Sequence, residues 1–355
     1  MMEQNSRKED KMKKEFLDHT LDLISEMIAI PSPSGFTQRM EAWMTEKLKG
    51  LGFAPASTRK GNILCELGGQ GEPLLLMAHL DTLGLMVRSV KPNGHIRFAK
   101  IGGLTYSHVL TENVTVFTRD GRAYSGTIQL AHASGHSYDG SLDEIVKGTD
   151  TVEVVLDELV SSEQEVRALG IQNGDCIALD PRTRVTETGY IKSRYLDDKS
   201  GSAVLLALAE AVSRGEIKLN RKVTLGFTVH EELLHGSPAC VPPDTLDVIS
   251  VDMGVVGEDL SGNDRQLSIC AADTRGPSSF TLVNELIDAA RKANCDYVLD
   301  YFPYYVSDAD VTLTSGHDLR HAAAGPAVFA SHGYERTHAS AIGYTYDMLA
   351  AYIGE

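Results

Sequence analysis

Several residues whose side chains suit divalent cations stand beside apolar runs. In PLLLMAHLDT, His79 and Asp81 lie two apart at the end of such a run. Alternate residues of an extended chain project the same way, so the histidine can ligate a metal while the aspartate orients it or a neighbour. In YLDDKSGSAVLLALAE, Asp197 and Asp198 precede a helical pattern, and a single carboxylate there has two oxygens to share between two cations. Glu231 and Glu232 follow the run KVTLGFTV. Neighbours on a strand point to opposite sides, so the two glutamates can take different tasks. Burying either one unpaired is costly. A cation would neutralise one and leave the other free as a general base. Asp252 ends the apolar run ISVD, and His338 closes YERTH after PAVFASHG.

Taken singly, each has an ordinary structural explanation: a turn histidine, an aspartate at a helix N-cap, a solvated strand end. Together, His79, Asp197, Glu232, Asp252 and His338 gather at strand or helix termini, where α/β folds place their sites. Two histidines and three carboxylates suit two divalent ions with open positions, Zn²⁺ or Co²⁺, with Mn²⁺ also admissible.

The elements that must position these residues follow from periodicity. After a polar tail (residues 1–14), FLDHTLDLISEMIAI and FTQRMEAWMTEKLKGLG are spaced as helices, separated by PSPSG. GNILCELGG and PLLLMAHLDT are read as strands. Over 88–184 the texture becomes short β-like runs between turns, which predicts an inserted all-β, barrel-like domain. Helix–strand alternation then resumes through LDVISVDMG, SFTLVNELIDAARKANC, a strand at PAVFAS and a closing helix at TYDMLAAYIG, with HDLRHAAAG helix-like. The expectation is an α/β fold: a mostly parallel mixed sheet between helices, built from 15–87 and 185–355, with the 88–184 insertion.

Composition bounds the function. The 355 residues are 42% hydrophobic and 23% charged, as in an ordinary globular protein. A formal charge of −16 argues against nucleic acid or an anionic membrane as partner. The five scattered cysteines form no CxxC pair, which fits reduced thiols in a cytoplasm. MMEQNSRKEDKMKKEF lacks the apolar core of a signal peptide, and no apolar stretch reaches membrane-spanning length.

The ordered set HLD (79–81), LDDKSG (196–201), TVHEE (228–232), SVD (250–252) and ERTH (335–338) resembles the di-metal aminopeptidases of the glutamyl/deblocking group, which form tetrahedral (TET-type) particles. SPSG (32–35), GN (61–62), GDCIALDP and SDA (307–309) are smaller matches. The long interval between Asp81 and Asp197 sets the chain apart from the related carboxypeptidase/deacetylase family, whose second domain follows the glutamate pair. The resemblance implies that Asp197 bridges two ions, with His79 and Asp252 completing one site and Glu232 and His338 the other. It implies Glu231 as general base, Asp81 as its support or that of His79, and Asp198 as shaping the turn. It also implies a homo-oligomer, a dodecamer built from dimers.

Two departures stand out. LLHGSPA replaces the family's V/L-G-x-R-G-A-like turn, which bears on substrate contacts. RTH replaces RYxH-like spacing, which makes His332 the alternative to His338. His132 and His136, spaced HxxxH around Gly135, sit in a turn-rich stretch and are read as structural, as are His317 and His321. Tyr301, Tyr304 and Tyr305 are read as packing aromatics or pocket lining.

The leading expectation is an aminopeptidase acting on short peptides. The altered turn motivates a second, an amidohydrolase of the same chemistry acting on a modified dipeptide or small amide. A non-catalytic scaffold is the third, opposed by the intact ligand set.

Overall fold

The computed structural model describes residues 2–138 and 150–355, with residues 2–13 described only as helical backbone. Part of the expected insertion, 139–149, lies outside the described residues. Its centre is a thirteen-stranded mixed sheet. Four neighbouring strands, Lys222–Thr228, Pro73–His79, Asp247–Ser250 and Arg320–Phe329, run parallel in that order. Their register pairs Thr228 with His79 and Ser250 with Met77. The carboxyl ends of three strands are therefore level, and the segments leaving them emerge side by side.

These strands read as unbroken apolar runs because both faces are covered. Leu74, Leu76 and Ala78 face one core, and Leu75, Met77 and Val248 the other. The first core lies under helices Met2–Ile28, Gln38–Gly50, Leu196–Ser213, Phe280–Lys292 and Ala339–Ile353. The second lies under the short helix Asp308–Thr314, whose start is fixed by a capping box between Ser307 and Asp310. Leu196–Ser213 is buried almost to its end and apolar nearly all round, as a central helix must be.

The sequence reading is corrected at two elements. HDLRHAAAG is not helical: Arg320–Phe329 is one continuous buried strand. Its small residues serve close packing, since a Cβ on Gly325 would come within 2.1 Å of the Asp252 carbonyl oxygen. The polar N-terminal stretch is continuous with the first helix, Met2–Ile28.

A second body is a closed six-stranded antiparallel barrel ordered Gly84–Val90, Ile96–Ile101, Val152–Leu156, Ala123–Leu130, Asn113–Phe117 and Cys176–Leu179. Leu85, Val87, Ile96, Phe98, Val116, Ile128 and Ile177 fill it, with Met86 and Arg97 exposed between the inward residues of the first two strands. Buried Arg194 ties the two bodies together. Its Nη2 lies 3.0 Å from Glu112 of the barrel side, and its Nη1 donates to the Gly333 carbonyl at 3.2 Å. All five cysteines are free. Among the described residues no helix is long and apolar enough to cross a membrane.

Candidate metal centre

The site forms where the level strand ends emerge. His79 is the last residue of its strand and is buried. Its Nδ1 lies 2.9 Å from the Asp81 carbonyl oxygen, which leaves Nε2 to face Asp197 Oδ1 at 2.9 Å. The Asp197 carboxylate lies between two rings, because its Oδ2 is 3.3 Å from His332 Nε2. Glu232 Oε2 is 3.7 Å from the same His332 nitrogen, and Glu231 Oε2 is 3.7 Å from His79 Nε2. Asp252, two residues past its strand, completes the group. Ligand atoms of His79, Asp197 and Glu232 lie within 4.8 Å of one another, as do those of His79, Asp198 and Asp252.

The two glutamates are not on a strand as expected. Glu231–Leu233 is a 3-10 turn entered through His230 at φ 75°. The Glu231 amide donates to Asp81 Oδ1 at 3.1 Å, and Asp81 Oδ2 accepts from Ser34 Oγ at 2.5 Å. Asp81 thus fixes the start of the Glu231 turn. Asp198 accepts from the His79 amide at 3.2 Å and the Gly201 amide at 3.0 Å. Gly201 is required here, because a Cβ would come within 1.9 Å of the Val251 carbonyl oxygen.

His338 does not join the cluster. Its Nε2 faces the Thr188 carbonyl oxygen at 2.9 Å, its Nδ1 faces Ser340 Oγ at 2.8 Å, and its ring packs on Tyr190. The reason is topological. The sheet strand ends at Phe329, the chain turns through Ala330 and His332 at positive φ, and Glu335–His338 runs back antiparallel. His332 is in the turn at the site, whereas His338 has been carried away.

Sequence reasoning also passed over Glu335. One of its carboxylate oxygens accepts the His332 amide at 2.9 Å and the other the Asp197 amide at 3.2 Å. Lys199 is wholly buried beneath, donating to Ser32 Oγ at 2.8 Å and to the Leu80 carbonyl. Asp308 was visible only as part of SDA. It accepts from Thr228 Oγ1 and, at 2.7 Å, from the Ser237 amide. His132 and His136 are exposed and follow the barrel strand Ala123–Leu130, with His132 stacked on Tyr138.

Electrostatics show what the cluster lacks. Burial, with neighbouring carboxylates adding to it, pushes Glu231 and Glu232 well above the usual carboxylate range and Asp252 to about 7. Burial opposes ionisation of Asp197 as well, but hydrogen bonding to His332 and His79 outweighs it and holds this group below its ordinary value. Burial depresses Lys199 to about 7 against the pull of Asp81, Asp198 and Glu232. So many acids in low dielectric need positive charge from outside the chain. Mixed imidazole and carboxylate donors around a doubly faced Asp197 fit a pair of borderline divalent cations.

A cavity of about 680 Å³ opens onto Asp197, Glu231, Glu232, Asp252 and His332. The family model described as M42 glutamyl aminopeptidase matches residues 61–348. The chain belongs to this aminopeptidase family. The "Putative aminopeptidase YhfE" of Bacillus subtilis (strain 168) is 35% identical over 336 residues, 94% of this chain and 97% of its own. The glutamyl aminopeptidase of Lactococcus lactis is 24% identical over 60% of this chain and 59% of its own. Among solved structures, the TET aminopeptidase of Thaumarchaeota archaeon SCGC AB-539-E09 superposes at a TM-score of 0.86 with 18% identity, covering 95% of this chain and 96% of its own. PhTET1, solved as a dodecamer, gives 0.82 with 22% identity over 94% and 99%. At these identities the likeness concerns the fold.

Proposed function

We propose that this M42 aminopeptidase removes N-terminal residues from short peptides with two divalent cations, zinc or cobalt. The observation that carries the reading is the Asp197 carboxylate held between His79 and His332. His79, Asp252 and one Asp197 oxygen would hold one ion; Glu232, His332 and the other Asp197 oxygen would hold the second. When bound, such ions supply Lewis acidity toward the scissile carbonyl and activate water.

The remaining work belongs to the chain. Glu231 is held by its own amide on Asp81, so its carboxylate faces the cavity. It takes the proton of the attacking water and returns it to the leaving amine. Asp81 is a positioning residue for that turn and for the His79 ring. The acidic wall of the cavity attracts the substrate's free ammonium group. We assign the 88–184 region a role in assembly and access. The dodecameric assembly of PhTET1 supports a homo-oligomer here, and the free cysteines suit a cytoplasmic setting.

The test combines metal content with hydrolysis of aminoacyl-anilides by wild type and Glu231→Gln. The expected result is two ions per chain in both proteins and activity only in wild type. Two ions with no cleavage of any anilide would transfer the assignment to small-amide hydrolysis. Full activity in Glu231→Gln would remove Glu231 as the base.

A further inference from the structure

The cavity at the metal centre has two chemically distinct parts. The acids and His332 make up one part of its lining, and Leu234, Met253, Val255, Leu260, Phe302 and Tyr304 make up an apolar wall. Among the described residues no lysine or arginine lines it, and its one further charged residue is Glu258, exposed at the rim. Resting on the aminopeptidase reading above, we infer that this wall is the pocket for the substrate's N-terminal side chain, that it selects large apolar side chains and rejects glutamate, and that Leu234 sets this selectivity.

Leu234 belongs to LLHGSPA, the segment that departs from the family pattern. It is left-handed, at φ 56° and ψ 38°. A bulky L-residue adopts that conformation at a steric cost, and it persists only where the surroundings impose it. The surroundings are visible on both sides. The Leu234 amide donates to the Glu231 carbonyl at 2.6 Å. Beyond it, Lys60 Nζ donates to the His235 carbonyl, Asn62 Nδ2 donates to the Gly236 carbonyl at 2.8 Å, and the Ser237 amide donates to Asp308. The turn that begins with the general base therefore ends by presenting an apolar side chain to the same cavity. Leu234 is 47% exposed, which leaves apolar surface for a substrate side chain to cover.

The chemistry of the rest of the wall agrees. Met253 and Phe302 line the cavity and are each 2% exposed, while Tyr304, also in the lining, is 98% exposed. A leucine, methionine or phenylalanine side chain would gain contact with all three. A glutamate side chain would lose its water, meet no cation and approach Glu258.

The test measures kcat/KM for leucyl-, phenylalanyl-, alanyl-, glutamyl- and lysyl-anilides on the intact, metal-loaded protein. The expected order puts leucyl and phenylalanyl at least about tenfold above glutamyl. In Leu234→Ala, KM for the leucyl substrate should rise about tenfold while the alanyl substrate is little changed, and Leu234→Met should restore the wild-type ratio. Glutamyl turnover equal to leucyl would overturn the pocket assignment and leave the aminopeptidase reading standing. Hydrolysis of none of the five would instead strike the aminopeptidase reading itself. A uniform loss on every substrate in Leu234→Ala, with unchanged ratios, would show a structural role and overturn the assignment to Leu234.

Discussion

His332 Nε2 lies 3.3 Å from Asp197 Oδ2, on the side of that carboxylate opposite His79. Six residues on, His338 spends both ring nitrogens on Thr188 and Ser340. The two histidines therefore separate cleanly in an experiment. His332→Ala should lose one of two bound ions and at least about a hundredfold in kcat/KM, the size expected when a metal ligand goes. His338→Ala should keep both ions and most activity, losing at most about 1–2 kcal/mol of stability from its hydrogen bonds. Metal stoichiometry by mass spectrometry of the native protein decides between them.

Glu335 holds the backbones of Asp197 and His332 without facing the cavity as a ligand. Glu335→Gln leaves one acceptor oxygen and turns an amide toward the other donor. The chain should fold, but metal affinity should drop about tenfold to a hundredfold, as for other groups that orient ligands. Competition with a chromophoric chelator measures this. Unchanged affinity would reduce Glu335 to a packing role.

Much of the site was legible because it depends on strand ends. Buried parallel strands appear as apolar runs, and the first polar residues after PLLLMA, KVTLGFTV and ISV are the ones that emerge together. The same rule favours His332, three residues past Phe329, over His338, which lies further on in a returning strand. The motif letters ERTH point to His338, whose ring nitrogens face Ser340 and Thr188 and not the cluster. The reversal itself depends on left-handed Ala330 and His332, and alanine is not a residue type that announces such a turn. HDLRHAAAG was misread for a related reason. Its alanines have helical propensity, but they fill a strand whose neighbours leave no room for larger side chains. The roles of Glu335, Lys199 and Asp308 were not legible, since they come from contacts between segments distant in sequence.

At the opposite end of the sheet, Asp247 accepts from Arg221 Nη2 at 2.7 Å and from Arg320 Nε and Nη2 at 2.7 and 2.8 Å. Burial opposes its charge, but hydrogen bonds from Arg320 and Arg221 hold its pKa below the ordinary value. A depressed carboxylate contributes stability that is present above its unfolded pKa, about 3.9, and is lost as pH falls through the lower folded value. Asp247→Asn should therefore cost about 2–3 kcal/mol near neutrality, with Arg221 losing its acid while Arg320 keeps Glu285 at 2.6 Å. The gap to wild type should shrink below about pH 4. Urea unfolding at several pH values tests this, and a gap that is constant down to pH 2 would contradict it.

Arg194 joins the barrel to the loop that carries His332. Its guanidinium reaches Glu112 and His108 on one side and the Gly333 carbonyl on the other. Glu112 keeps a second partner, Arg182 at 2.7 Å, so it is not stranded when Arg194 is removed. Arg194→Met should thus cost about 2–3 kcal/mol, less than breaking an isolated buried pair. It should also lower activity by loosening the His332 loop. Arg194→Lys, a point charge in place of a fork, should recover only part of either. A variant with wild-type stability and activity would mean that the barrel and the His332 loop are held together by other contacts.

Removing metal should affect stability as strongly as activity. Glu231, Glu232, Asp198 and Asp252 are buried together with Lys199 beneath them, and burial pushes all four acids upward. A cation that binds the folded chain alone stabilises it by about 2.7 kcal/mol at a hundred times its Kd. The chelated protein should melt several degrees lower, and the melting temperature should climb with added Zn²⁺ or Co²⁺ until the sites fill. In His79→Ala the climb should be clearly smaller, because the site that His79 would share with Asp252 loses its imidazole. An equal climb in His79→Ala would place the stabilising ion elsewhere on the protein.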